Sequence, residues 1–136
     1  GVGSGVLSAV LARRGVQRVV ATDQDPRALA CARDNLQRLG LQERVEVVQA
    51  DLFPSLALYG QAALIVCNPP WVPARASTPV EHAVYDPESR MLRGFLDGLA
   101  AHLAPRVAAI LQEELGLDPQ LAAFVALAQQ YQRLPT

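Results

Sequence analysis

Apolar residues recur along the start of the chain at two spacings, one typical of helices and one of strands. The segment after the opening glycines has the helical period, and its predicted buried face consists of Val6, Leu7, Val10 and Leu11. Residues 18–22 are rich in β-branched side chains and predict a strand that ends at Asp23. The chain therefore begins as a predicted helix followed by a strand.

A second predicted helix has sequence signals at both of its ends. Asp25 is its expected N-cap, and Pro26 follows at the first helical position. Gly40 ends the helix, and Leu41 lies where a Schellman motif places its hydrophobic contact. The apolar face between these signals consists of Leu29, Ala32, Leu36 and Leu39.

Two further strands are predicted after this helix. Residues 45–49 lead to Asp51, and the apolar run at residues 63–67 leads directly to Asn68. A nearly continuous apolar run is typical of a strand that is covered on both faces. Because helices alternate with buried strands, the pattern predicts an α/β fold with a parallel sheet.

The second half of the chain is less regular. Residues 72–89 are rich in Pro, Ser and Ala and predict a long loop. The next helix ends before Pro105, and its predicted buried face consists of Met91, Leu92, Phe95, Leu96, Leu99 and Leu103. Residues 107–111 fit either a strand or a helical turn, and a last helix is expected from Asp118 onward.

Composition and charge exclude several classes of protein. The 136 residues are 51% hydrophobic and 18% charged, which supports a real core and excludes disorder. A net charge of -1 argues against binding nucleic acid through bulk electrostatics. No apolar run reaches the roughly 20 residues of a membrane span, and Cys31 and Cys67 lack the spacing of metal ligands. We expect a cytoplasmic protein with no metal site and no membrane contact.

The opening glycines and two later aspartates predict a nucleotide-type ligand site. A glycine-rich turn before a helix lets backbone N–H groups approach a ligand closely. Val6 occupies the third glycine position of the dinucleotide-binding motif, which makes a nicotinamide oxidoreductase the weaker alternative. Asp23 and Asp51 end successive predicted strands, where a carboxylate either accepts hydrogen bonds from ribose hydroxyls or caps a local turn.

The stretch Asn68-Pro69-Pro70-Trp71 carries a second kind of chemistry. The prolines fix the backbone and restrict Asn68 to an extended conformation. Its side-chain oxygen and a proline carbonyl can then act as converging acceptors for a planar –NH2 group, on which Trp71 can stack. The alternative is a rigid turn that carries a buried Trp.

The four motifs GVGSG, ATDQDP, QADLF and NPPW together resemble those of class I S-adenosylmethionine-dependent methyltransferases. NPPW is similar to the (N/D)PP(Y/F/W) signature of the amino-methylating branch. That branch includes HemK-type glutamine methyltransferases and the adenine and guanine methyltransferases of nucleic acids. The resemblance covers residues 1–105, and the stretch Tyr85-Asp86-Pro87 with the helix after it is most like the HemK type.

This resemblance implies a Rossmann-like, mostly parallel sheet flanked by helices, with S-adenosyl-L-methionine as cofactor. The residues implied to bind the cofactor are Gly1, Gly3, Gly5, Asp23, Asp51, Leu52 and Asn68. The glycines would line the methionine end, Asp23 would bind the ribose, Asp51 the adenine amino group, and Leu52 would supply a backbone contact. Asn35 also matches a common Asn of the family and is expected to pack or cap.

The same resemblance implies the reaction, which is methyl transfer to a planar amino or amide nitrogen. Asn68 and Pro69 would hold the target amine as the catalytic residues, and Pro70 and Trp71 would wall the substrate pocket. His82 and His102 are isolated, so no strong general base is expected. The acceptor is either a protein glutamine or a nucleic-acid base. The remaining alternative is a non-catalytic domain that binds cofactor or a partner.

The sequence departs from the family at both ends. The family has a central strand before the glycine turn, whereas this sequence begins at Gly1. Pro105-Arg106 stand where the family has a Gly-Gly turn and a strand. We therefore expect a methyltransferase core at residues 1–105 without its first strand, a mainly helical segment at residues 106–136, and a chain that is a piece of a longer protein.

Overall fold

A computed structural model describes residues 1–70, 75, 77–78, 81 and 84–104. The chain divides into two compact units, residues 1–59 and the described residues from 60 onward. The predicted boundary at residue 105 and the predicted elements at 107–111 and after Asp118 lie outside the described residues and stay predictions. Within the described residues, no helix is long and apolar enough to cross a membrane.

The first unit is a parallel strand pair with helices around it. Its elements are α1 (Val6–Arg13), β1 (Val19–Asp23), α2 (Pro26–Arg38), β2 (Val45–Gln49) and the short α3 (Leu56–Tyr59). β1 and β2 pair in parallel, in a register that runs from Val19 opposite Val45 to Asp23 opposite Gln49. A strand, a helix and a second parallel strand form a partial Rossmann-like α/β fold, which confirms the predicted fold class.

Both ends of α2 confirm the sequence signals. The Asp25 carboxylate accepts a hydrogen bond from the Arg27 backbone N–H at 2.9 Å, which caps the first turn. At the other end, the Leu41 N–H donates to the Leu36 carbonyl at 2.9 Å and the Gly40 N–H donates to the Gln37 carbonyl at 3.0 Å. These two bonds form the Schellman motif, and Gly40 has the positive φ that the motif requires.

The core of the first unit lies where small side chains of α1 pack near the strands and α2. Its members are Ala9, Ala12, Val19, Ala21, Leu36, Leu41 and Val45. The predicted buried face of α1 is wrong at Val6 and Val10, which are 63% and 40% exposed, whereas Leu7 and Leu11 are half-buried. The buried residues of this helix are Ser8, Ala9 and Ala12. Small residues let the helix approach the core closely, which turns the bulkier valines outward. On α2, Leu29, Ala32 and Leu36 are buried as predicted, whereas Leu39 is exposed.

The second unit lacks the strand predicted at residues 63–67. This segment has no strand assignment, and Leu64 and Val66 are exposed. A strand needs a neighbour for its backbone hydrogen bonds, and none pairs with this segment within the described residues. The chain pairs one step earlier instead, since the Ala62 N–H donates to the His102 carbonyl and the Ala62 carbonyl accepts from the Ala104 N–H.

The helix predicted before Pro105 is present as α4 (Arg90–His102), and a 3₁₀ turn (Pro87–Ser89) precedes it. Phe95, Leu99 and Leu103 are buried as predicted, while Met91, Leu92 and Leu96 are half-buried. The buried Asp86 carboxylate accepts hydrogen bonds from the Met91 and Leu92 N–H groups at 2.9 and 3.0 Å. Asp86 therefore caps α4 across a turn in which Glu88 and Ser89 adopt positive φ.

Candidate functional site

The Asp23 carboxylate joins the glycine turn to the start of α2. Its Oδ2 accepts a hydrogen bond from the Gly3 N–H at 3.2 Å, and its Oδ1 accepts one from the Asp25 N–H at 3.0 Å. A Cβ built on Gly1 would lie 3.5 Å from the same Oδ2. The fold thus brings Gly1, Gly3 and Asp23 together at the carboxyl end of β1.

Gly3 and Gly5 are required for different reasons. Both have positive φ, at 54° and 84°. A Cβ on Gly3 would meet nothing within 4 Å, so the space above its backbone is open to a ligand. A Cβ on the buried Gly5 would lie 3.3 Å from the Ala32 Cβ, so this glycine permits close packing against α2. Gly3 is therefore suited to contact a ligand, and Gly5 supports the turn.

The glycine turn is held from two sides. The Val2 N–H donates to the Thr22 carbonyl of β1 at 2.8 Å, and the Asn35 side chain donates through Nδ2 to the Ser4 carbonyl at 2.9 Å. The N-terminus of α1 has no side-chain cap, and the N–H groups of a first helical turn have no intrahelical acceptor. A fixed turn that presents such donors is suited to bind a negatively charged group.

Asp51 and Leu52 form a second corner at the same end of the strand pair. β2 ends at Gln49, and the Ala50 N–H donates to the Asp23 carbonyl at 3.0 Å. The Thr22 hydroxyl donates to the Leu52 carbonyl at 3.1 Å. The exposed Asp51 therefore lies between two hydrogen bonds that tie its neighbours to β1.

The Thr22 contact is the part of the site that sequence reasoning missed. Thr22 counted there as one more β-prone residue of the strand. A hydroxyl directly before the acidic strand end is the signal that could have found it, because such a group can bond the loop that follows the neighbouring strand.

Arg27, a cation four residues after the strand end, has a partner of its own. The Arg27 guanidinium donates through Nη2 to Asp25 Oδ2 at 2.7 Å. This hydrogen bond lowers the pKa of Asp25 and raises the pKa of Arg27 from their ordinary values. Among the described residues, no ion pair involves Asp23. The partners of the Asp23 carboxylate are therefore backbone N–H groups, those of Gly3 and Asp25.

The residues predicted to hold the target amine belong to the second unit. Asn68 is exposed, and Pro69 and Pro70 are half-buried, in a segment that is not a strand. The expected placement of Asn68 at the end of a buried strand is therefore wrong. Burial raises the pKa of the neighbouring Cys67 thiol. Trp71 and His82 lie outside the described residues.

A glycine turn next to an acidic strand end, on a parallel strand–helix–strand unit, defines a Rossmann-like α/β domain, a class that binds ligands at the carboxyl ends of its strands. The family model for the methyltransferase small domain matches residues 1–93. The chain belongs to this methyltransferase family. The predicted resemblance to S-adenosylmethionine-dependent methyltransferases is thereby confirmed at the level of the family.

The chain is also similar to several curated methyltransferases. It is 36% identical over 132 residues to the release factor glutamine methyltransferase of Caulobacter vibrioides, covering 90% of this chain and 45% of that protein. It is 37% identical over 115 residues to the release factor glutamine methyltransferase of Moorella thermoacetica, covering 82% and 40%. It is 29% identical over 122 residues to the ribosomal protein L11 methyltransferase of Photobacterium profundum, covering 90% and 40%.

The matched part of the chain spans less than half the length of these relatives. No solved structure matches the chain.

Proposed function

We propose that this chain carries the cofactor-binding part of an S-adenosylmethionine-dependent N-methyltransferase that acts on a protein amide. One observation carries the proposal: the Asp23 carboxylate at the end of β1 lies within hydrogen-bond distance of the Gly3 N–H in the glycine turn. An acidic strand end beside such a turn suits a ligand that has hydroxyls at one end and charged groups at the other.

The donors and acceptors at this edge fit the cofactor. Each oxygen of an ionised carboxylate has two acceptor positions, so Asp23 keeps acceptor capacity for two ribose hydroxyls beyond its two backbone N–H groups. The open space above Gly3 admits the methionine end, whose carboxylate suits the donors at the start of α1. Asp51 and the Leu52 backbone would hold the adenine, in a corner that two hydrogen bonds tie to β1.

The chain's own residues would align and activate the acceptor. When bound, the cofactor supplies a methyl group that its sulfonium charge already activates. The Asn68 side-chain oxygen and the Pro69 carbonyl would accept hydrogen bonds from the two protons of the target –NH2. These bonds would hold the nitrogen in line with the methyl group. They would also localise the nitrogen lone pair, which amide resonance otherwise delocalises, as positive charge develops on the nitrogen. His102 would take no part, since its Nδ1 lies 2.8 Å from the Gly98 carbonyl within α4.

The relatives favour a protein acceptor over a nucleic acid. Two of them are named for a release factor glutamine and one for ribosomal protein L11. A glutamine side chain presents the planar –NH2 that paired oxygen acceptors suit. The net charge of -1 agrees with a protein substrate, because proteins that bind nucleic acid generally carry an excess of Lys and Arg.

Calorimetric titration of S-adenosylmethionine onto the chain tests the proposal. Asp23→Ala removes the ribose acceptor, and Asp34→Ala removes an exposed carboxylate of α2 that pairs with Arg38. We expect micromolar binding that is about ten- to hundredfold weaker in Asp23→Ala and unchanged in Asp34→Ala, as for the loss of charge-assisted hydrogen bonds. Equal affinity in both variants, or no binding by the unmodified chain, would contradict the proposal.

Methyl-label transfer then tests the acceptor. Tritium from the labelled cofactor should appear in a protein fraction that contains release factors and not in an RNA fraction. Label in RNA would support the nucleic-acid alternative. Binding without transfer to either fraction would support the non-catalytic alternative.

A further inference from the structure

We propose that Thr22 is a positioning residue that sets the preference of the site for adenine. This inference rests on the function proposed above, in which the corner at Asp51 and Leu52 receives the adenine. Thr22 acts through its hydroxyl, which donates to the Leu52 carbonyl at 3.1 Å. It would not itself contact the cofactor.

The corner needs a tether because its backbone is irregular. Leu52 has φ 71°, in the left-handed region that residues other than glycine seldom adopt. The chain leaves β2 after Gln49, and among the described residues its last backbone–backbone hydrogen bond to the strand pair is the one from the Ala50 N–H to the Asp23 carbonyl. Beyond that point the Thr22 hydroxyl holds the corner in place.

Asp51 is therefore fixed from both sides. One bond ties Ala50 to Asp23, and the other ties Leu52 to Thr22. The two anchoring residues are consecutive in β1, so a single strand end supplies the carboxylate for the ribose and the tether for the adenine corner. The spacing between the ribose-binding and adenine-binding groups thus depends on the bond from the Thr22 hydroxyl.

Thr22 also links this corner to the glycine turn, through a different atom. Its backbone carbonyl accepts a hydrogen bond from the Val2 N–H at 2.8 Å. A side-chain substitution leaves that backbone bond in place and removes the Leu52 bond alone. Valine has nearly the shape of threonine and a high strand propensity, so Thr22→Val isolates the hydroxyl.

The experiment compares two ligands that differ at the adenine amino group. S-adenosylhomocysteine carries that amine, and S-inosylhomocysteine carries an oxygen in its place. Both are titrated by calorimetry onto the unmodified chain, Thr22→Val and Thr22→Ser, and the thermal midpoint of each variant is recorded. Because Asp51 accepts from the amine, the unmodified chain should prefer the adenine ligand by about tenfold or more.

We expect Thr22→Val to lose most of this preference, chiefly through about five- to twentyfold weaker binding of the adenine ligand, and Thr22→Ser to keep it. Equal weakening of both ligands in Thr22→Val would overturn the proposal, because a general structural defect does not select for the base. An unchanged preference would overturn it as well.

Two controls keep the result decisive. If Thr22→Val does not fold, Thr22→Ala takes its place, and Thr22→Ser must differ from it in preference if the proposal is to hold. If the unmodified chain binds neither ligand, the proposed function fails and this inference fails with it. If the chain binds the adenine ligand and its preference for adenine is the same in the Thr22 variants, only this inference fails.

Discussion

The first unit and residues 63–67 both have sequences that predict strands, and only the strands of the first unit are present. β1 and β2 pair along five residues each, whereas residues 63–67 form no strand and expose Leu64 and Val66. β1 and β2 are each other's partners and are joined directly by α2. The contrast teaches that an apolar segment forms a strand when a neighbouring strand supplies partners for its backbone hydrogen bonds. An apolar composition alone is not sufficient.

Substitution of one leucine in each region should give the largest difference. Leu36 is 1% exposed in the core of the first unit, and Leu64 is 40% exposed. Leu36→Ala should lower the free energy of unfolding by about 2–5 kcal/mol, and Leu64→Ala by less than about 0.5 kcal/mol, because only the first leaves a cavity. Urea unfolding followed by circular dichroism measures both. A comparable loss in Leu64→Ala would show that residues 63–67 are buried as a strand after all.

The cap of α4 tests whether local bonds stabilise the second unit. Asp86 is buried and accepts two backbone N–H groups at the start of α4. Asp86→Ala should cost about 1–3 kcal/mol, since both donors lose their acceptor. Asp97→Ala, at an exposed position of the same helix, is the control and should change stability little. Equal changes in the free energy of unfolding in the two variants would contradict a capping role for Asp86.

The cap of α2 should give a smaller, pH-dependent effect. The hydrogen bond from Arg27 lowers the pKa of Asp25 in the folded chain. A lowered folded pKa means that the contribution is present above the unfolded value of 3.8 and is lost as the pH falls through the folded value. Unfolding free energy measured from pH 5 downward should therefore fall less in Asp25→Asn than in the unmodified chain. Parallel curves would contradict this account.

The two cysteine thiols should differ in their rate of modification by a disulfide reagent. Cys31 is exposed on α2, whereas Cys67 is half-buried and its pKa is raised by burial. Because the thiolate is the reactive form, a disulfide reagent at pH 8 should modify Cys31 first and Cys67 more slowly. Cys31→Ser should remove the fast phase and Cys67→Ser the slow one. A single phase for both thiols would show that residues 63–70 do not shield Cys67.

The features that sequence reasoning predicted correctly depend on residues close together in the chain. The Asp25 cap, the Gly40 turn and the parallel pairing across α2 each involve neighbouring elements. The sequence analysis assigned Gly3 and Asp23 to one ligand site and did not predict the hydrogen bond between them.

The features that it missed depend on contacts between distant positions. The buried face of α1 is set by the approach of Gly5 to Ala32, which favours small residues over the valines. The role of the Thr22 hydroxyl depends on a backbone corner thirty residues later. The strand at residues 63–67 was predicted from its own composition, whereas strand formation depends on a partner.

The most direct test of the account is a ¹H–¹⁵N correlation spectrum of the chain during titration with S-adenosylhomocysteine. The account predicts that the largest shifts occur at the backbone amides of Gly3, Asp23 and Leu52. The amides of Val19 and Val45, at the other end of the strand pair, should change little. Saturating shifts at the three predicted amides would support a cofactor site at the end of β1. Shifts confined to other residues, or none at millimolar ligand, would contradict it.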